Sequence, residues 1–226
     1  MKITWLGQAG LLLDHGGVKI MIDPYLSDSV EKVNPMNYRR VPIDERFFSV
    51  NPDIMIFTHD HLDHYDPETA QRFLEKQGKP MTVLCPTSVW QKARQYGTHN
   101  YIEFNRHTEW TEYGFRFSAV RAVHSDLYAI GVLIEDLEES KIYYITGDTL
   151  YSKEIFEDLP QNIDFVFLPV NGAGNNMNAT DAVRFFKDCG AKHAVPIHVG
   201  MFDEFSPEIF EAENRLILKL YEQTEV

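Results

Sequence analysis

Between residues 58 and 66 the chain reads Thr58-His59-Asp60-His61-Leu62-Asp63-His64-Tyr65-Asp66. His59, His61, Asp63 and His64 are side chains that ligate divalent metal ions, and they crowd into one short stretch. Imidazole nitrogen and carboxylate oxygen with no thiolate suit Zn²⁺, with Mn²⁺ and Fe²⁺ as alternatives. A lone His-x-His is more often a surface or core pair. Three imidazoles and a carboxylate directly behind the apolar run Ile54-Met55-Ile56-Phe57 have no economical packing explanation, because each needs a polar partner once buried.

Three further residues stand where apolar runs end. His124 follows Phe115 to Val123, Asp148 sits in Gly147-Asp148-Thr149 after Ile142 to Thr146, and His198 follows Ala194-Val195-Pro196-Ile197. Each alone reads as a turn residue or a hydrogen-bonded histidine; together they share one placement with the 59–64 group. Sorted into a pair of sites, His59, His61 and His124 would hold one ion and Asp63, His64 and His198 a second, with Asp148 bridging. Two ions roughly 3.5–4 Å apart would share a water and bring its pKa toward about 7. Asp63 could then bind metal and orient the hydroxide, so Asp63 and Asp148 are the candidate catalytic residues. Asp23, in Ile22-Asp23-Pro24, is either a turn former or an acceptor behind a ligand histidine. His15, His99, His107 and His193 have no such context and read as structural.

The elements that must carry these residues follow from periodicity. Short strands are expected at 3–6, 10–13, 18–22, 54–57 and 81–85, with helices at 67–76, opened by Asp66-Pro67-Glu68, and 88–96, stopped by Gly97. From 101 to 146 the texture is strands at 101–104, 106–112, 115–122, 129–135 and 141–146. Then come a strand at 165–169, a helix at 181–188, a strand at 194–197 and a last helix from Ser206-Pro207 to about Tyr221. Residues 26–50 lack periodicity, and so long an irregular segment is usually functional. It is a candidate wall or lid in which Arg39 or Arg40 meets an anionic substrate, although a solvated arginine pair is the plainer reading. Strands followed by helices in each half pack most economically as an α/β fold, a four-layer α-β-β-α sandwich.

The chain has 226 residues and is expected to form a single domain, or two merged halves. Its formal charge of −13 repels phosphate backbones, which disfavours a nucleic-acid partner. Its two cysteines form no C-x-x-C motif, which suits a reducing compartment. No signal-like or membrane-length apolar run occurs, so a cytoplasmic location without stable membrane association is expected. A small-molecule substrate is the expected partner, and the oligomeric state is left open, a homo-oligomer included.

His59-Asp60-His61-Leu62-Asp63-His64, with the later His124, Asp148 and His198, resembles the H-x-H-x-D-H signature of the metallo-β-lactamase superfamily. The resemblance spans essentially the whole chain. It implies the α-β-β-α sandwich, two divalent ions and hydrolysis, and it gives Asp23 the task of holding a ligand histidine from behind. Within the superfamily the chain is most similar to the L-ascorbate 6-phosphate lactonase-like hydrolases, through Ile3-Thr4-Trp5-Leu6-Gly7-Gln8-Ala9-Gly10, Ile22-Asp23-Pro24, and Asn176-Met177-Asn178 before Asp181-Ala182. That branch implies hydrolysis of a small anionic ester, lactone or phosphodiester, with Asn176 and Asn178 as substrate contacts beside Arg39 and Arg40. The Asn-Met pair and His198-Val199-Gly200 are also similar to the N-acyl-phosphatidylethanolamine phospholipase D relatives, whose substrate is a phospholipid. A non-hydrolytic di-iron redox member is the third reading, although such relatives carry a flavin domain that has no counterpart here.

Overall fold

The computed structural model describes residues 1–226. In chain order its regular elements are β1 (Lys2–Gly7), β2 (Gly10–His15), β3 (Val18–Ile22), α1 (Ser29–Val33), β4 (Ile54–Ile56), α2 (Pro67–Leu74), β5 (Thr82–Cys85), α3 (Thr87–Ala93) and β6 (Asn100–Glu103). They continue with β7 (Glu109–Glu112), β8 (Phe115–Arg121), β9 (Ile130–Asp136), β10 (Lys141–Ile145), β11 (Phe165–Pro169), α4 (Ala179–Cys189), β12 (His193–Ile197) and β13 (Gln223–Glu225). Two compact units result. One comprises 1–103, 200–204 and 218–226, the other 104–199 and 205–217.

The first unit holds a seven-stranded sheet in the order β13-β1-β2-β3-β4-β5-β6. Its β1, β2, β3 and β13 pair antiparallel, whereas β3 to β6 run parallel. The parallel strands need crossovers, and α2 supplies the one between β4 and β5. Asp66 starts α2 by accepting from the backbone N–H groups of Glu68 and Thr69, with Pro67 at the first helical position. The helix then buries Ala70, Phe73 and Leu74 against Met21, Met55, Val83 and Val89. β4 is buried on both faces, which is why its sequence is a continuous apolar run.

The second unit holds a six-stranded sheet, β12-β11-β10-β9-β8-β7, parallel at β10 to β12 and antiparallel from β10 to β7. α4 is capped by Asn178, whose side chain accepts from the Asp181 N–H, and ends on Gly190 at φ 69°. Gly190 takes the left-handed position that closes a helix without steric cost. Each unit buries one free cysteine, Cys85 in the first and Cys189 in the second. No helix is long and apolar enough to cross a membrane.

Two expectations need correction. The helix expected from 206 to 221 does not form; only a 3₁₀ turn at Pro207–Ile209 does. The rest runs extended: Leu216 N–H donates to Ala194 of β12, Tyr221 N–H to Trp5 of β1, and β13 pairs with β1. Backbone pairing to open sheet edges outweighs helix propensity there, and Asn214 and Tyr221 turn the chain at positive φ. Residues 26–50 are not wholly irregular, since they include α1 and a 3₁₀ turn at Glu45–Ser49. Phe48 stacks on Phe73 at 5.5 Å and Lys76 Nζ donates to the Phe48 and Val50 carbonyls, so this end of the segment is fastened to α2.

Candidate metal centre

In the first unit, β3 ends in Asp23 and β4 leads into Thr58. Asp23 is buried at φ 42°, a left-handed conformation that Asp tolerates better than most residues. Its carboxylate accepts from Thr58 N–H at 2.8 Å, Thr58 Oγ1–H at 2.5 Å and His64 Nδ1–H at 2.8 Å. Because the Thr58 hydroxyl proton goes to Asp23, the hydroxyl oxygen is left to accept from His59 Nδ1, 3.1 Å away. Asp23 thus fixes two tautomers, His64 directly and His59 through Thr58. Both rings carry the proton on Nδ1 and present an Nε2 lone pair.

That arrangement fits a metal ion. His59 Nε2 lies 3.0 Å from His61 Nδ1 with the rings at 80°. Two nitrogens bound at about 2.0–2.1 Å to one tetrahedral ion would be roughly 3.3 Å apart. Asp63 Oδ2 accepts from Gln8 Nε2 at 2.9 Å and lies 3.9 Å from His64 Nε2. Asp60, between the motif residues, pairs instead with Lys92 at 2.5 Å.

In the second unit the loops after β8 and β10 are tied together. Val123 N–H donates to Thr149 Oγ1 and Leu150 N–H to the Val123 carbonyl, both at 2.9 Å. His124 and Asp148 are thereby neighbours, with His124 Nε2 3.9 Å from Asp148 Oδ2. His198, at φ 64° after β12, places Nε2 3.1 Å from Asp148 Oδ1. The Asp148 carboxylate therefore lies between two imidazoles, one toward each oxygen, the disposition a bridging ligand needs. His124 Nδ1 is 3.3 Å from the Asn175 carbonyl, which only accepts, so Nδ1 carries the proton and Nε2 the lone pair.

The four expected substrate contacts have partners inside the chain. Arg39 donates to the Tyr25 and Val41 carbonyls and to Tyr221 Oη, with its guanidinium 5.2 Å from the Tyr25 ring centre. Arg40 is exposed, its guanidinium 4.9 Å from the Tyr38 ring centre. Asn176 is buried against Asp148, and Asn178 caps α4. Of the histidines read as structural, His99 bridges the Leu74 carbonyl and the Met81 N–H, and His193 stacks on Phe165 at 5.0 Å. Sequence reasoning gave no role to Thr58, Asn171 or Thr149. Thr58 stands beside His59 in the sequence, which is the one signal that could have drawn notice.

A family model described as the beta-lactamase superfamily domain matches residues 19–199. A UPF0173 protein of Pyrococcus furiosus is 29% identical over 216 residues, covering 94% of this chain and 90% of the relative. A UPF0173 metal-dependent hydrolase of Sulfurisphaera tokodaii is 27% identical over 219 residues, covering 89% and 86%. Among solved structures, a metallo hydrolase of Ignicoccus hospitalis has a TM-score of 0.74 at 20% identity, covering 100% of this chain and 98% of that one. A diiron β-hydroxylase of Streptomyces venezuelae has a TM-score of 0.75 at 16% identity, covering 100% and 54%. The α/β fold with two sheets expected from the sequence is the metallo-β-lactamase fold, and with four fifths of its length inside the family model the chain belongs to the metallo-β-lactamase superfamily.

Proposed function

We propose that the whole chain works as one metal-dependent hydrolase domain on a small anionic ester, lactone or phosphodiester, as the L-ascorbate 6-phosphate lactonase-like enzymes do. His59, His61 and His124 serve one divalent ion, Asp63, His64 and His198 a second, and Asp148 both. Zinc suits this nitrogen and oxygen set best, with manganese and iron as alternatives. When bound, such ions supply Lewis acidity at the substrate's carbonyl or phosphoryl oxygen and bring the pKa of a held water toward about 7.

The observation that carries this reading is the fixed tautomer of His59, His64 and His124, each with an oxygen partner at Nδ1. Imidazoles held that way are arranged to give Nε2 lone pairs to a cation rather than to hydrogen-bond water at random. The hydrolytic class is the one that UPF0173 relatives carry in name. Asp63, with a side chain 19% exposed, orients the attacking water and takes its proton. Asp148 is held between His124 and His198. Arg40 meets the substrate's anionic group, since Arg39 is engaged within the fold. The enzyme acts in the cytoplasm on a free small molecule and needs no nucleic acid.

The test is metal analysis of the purified protein, paired with turnover of bis(p-nitrophenyl) phosphate and of a simple lactone. About two ions per chain with turnover of either is the expected result. Absence of metal even after reconstitution would refute the reading, and bound iron with no ester hydrolysis would move it to di-iron redox chemistry. Arg40→Ala should raise KM for an anionic substrate and leave kcat nearly unchanged.

A phospholipid substrate is the second reading, favoured by exposed apolar residues at the end of α1 and in the loop after it, Val33, Met36 and Tyr38 at 75%, 80% and 45% of full exposure. Turnover stimulated by phospholipid vesicles would select it. Equal turnover with and without vesicles would dismiss it.

A further inference from the structure

Residues 171–178 form a loop that reaches each of the three candidate ligands of the second unit. The Asn171 amide lies 3.2 Å from His198 Nδ1, the Asn175 carbonyl is the partner of His124 Nδ1, and Asn176 Nδ2 donates to Asp148 Oδ2 at 2.8 Å. The loop is closed by a bridge between Asn171 and Asn178 and by Gly172 N–H to the Met177 carbonyl. Met177 N–H in turn donates to the Thr149 carbonyl at 3.0 Å.

The orientation of the Asn176 amide follows from its neighbours. Thr149 N–H can only donate, so the atom facing it at 3.0 Å is the amide oxygen, and the nitrogen faces Asp148. Asn176 therefore clasps the Asp148-Thr149 peptide from both sides, and its side chain is buried. In the first unit a second buried amide meets the other candidate ligand carboxylate through its nitrogen. Gln8, at φ 49°, donates Nε2 to Asp63 Oδ2 at 2.9 Å, while Trp5 Nε1–H holds the Gln8 carbonyl at 2.8 Å. An amide N–H that meets one carboxylate oxygen sets the rotamer of the whole group.

We propose that Asn176 and Gln8 are positioning residues, each fixing the rotamer of one carboxylate ligand, Asp148 and Asp63, for metal binding. The proposal rests on the metal-hydrolase reading above. Loss of an outer partner of a metal ligand typically weakens metal binding 10–100-fold. Asn176→Leu should therefore raise the zinc dissociation constant of the weaker-held ion by roughly tenfold or more, and Gln8→Leu should do likewise. Turnover at saturating substrate should fall while KM stays near its wild-type value, because neither amide is placed to touch substrate.

The measurement is titration of the metal-stripped protein with zinc against a chelating dye, with thermal unfolding of the same samples. Asn176→Ala serves if leucine is not accepted in the buried slot. Asp164→Asn breaks an ion pair with Lys192 in the same unit, at the starts of β10 and β12 and so at the opposite strand ends from Asp148 and His198, and is the control for general destabilisation. It should lower the unfolding temperature and leave zinc affinity unchanged. Wild-type zinc affinity in the folded Asn176 and Gln8 variants would overturn the proposal. A wild-type protein that binds zinc but hydrolyses nothing would overturn the hydrolase reading alone, the zinc comparison still deciding this one. A wild-type protein that binds no zinc would overturn both.

Discussion

Asp23 serves three donors at once, so its replacement separates shape from charge. Asp23→Asn keeps the side-chain outline and tolerates the positive φ, but puts an N–H₂ where His64 Nδ1–H or the Thr58 hydroxyl now donates. Zinc affinity should fall 10–100-fold, and the metal-free protein should lose about 2 kcal/mol, read by titration and by urea unfolding. Asp148→Asn should lose at least one ion and nearly all turnover; full metal content and activity would remove Asp148 from the centre. His107→Ala is the contrast: metal content and turnover should hardly change, since both residues carry a Cβ at this φ of 71° and His107 is no candidate ligand. The candidate ligands were legible in the sequence because donor chemistry is a property of residue type, and strand-end placement shows in the apolar run before each. Asp23 was half legible, since an acid before proline also reads as a turn. Gln8 and Asn176 appeared only as parts of a family resemblance. Their work depends on which amide atom faces which neighbour, and that is settled by folding.

The elements were legible where local pattern and tertiary need agree. α2 has its cap, its proline and its apolar face in sequence order, and it forms where expected. Asp66→Ala should cost about 1–2 kcal/mol by removing the cap of that helix, measurable as a shift in urea midpoint. The segment from 206 to 221 was misread because its apolar spacing fits a helix, while the unpaired edges of β12 and β1, invisible in one dimension, claim its backbone. A side-chain tie between elements was equally hidden. Asp158 takes both Nε and Nη2 of Arg106 at 2.7 Å and the Arg121 N–H at 2.8 Å, joining β8 to the turn before residue 159. The Arg106 guanidinium holds the Asp158 carboxyl below its usual range, with the Arg121 N–H adding to it. A carboxyl lowered on folding contributes stability that is present above its unfolded pKa, about 3.9, and lost as pH falls through the folded value. Asp158→Asn should thus cost about 2 kcal/mol near neutral pH, and the gap to wild type should close below about pH 4, as read by unfolding across pH.

At the scale of the whole molecule, the proposed metal binding would couple to folding, because the folded state presents the ligands that the unfolded chain scatters. Zinc at a hundred times its dissociation constant would add about 2.7 kcal/mol per site, roughly 5–10 °C in unfolding temperature, and a chelator should remove it. No change in melting with zinc or chelator would contradict a site present in the folded state alone. The two buried thiols make that linkage visible unit by unit. Cys85 has no exposure and its thiol is pushed far above the ordinary range by burial, while that of Cys189 is pushed up to about 11, also by burial. Neither should react with iodoacetamide until its own unit opens, because only an exposed thiolate attacks. The chain thus carries one natural clock in each half. Mass-spectrometric counting of labelled Cys85 and Cys189 over time would record which half breathes first, and whether zinc stops both clocks together.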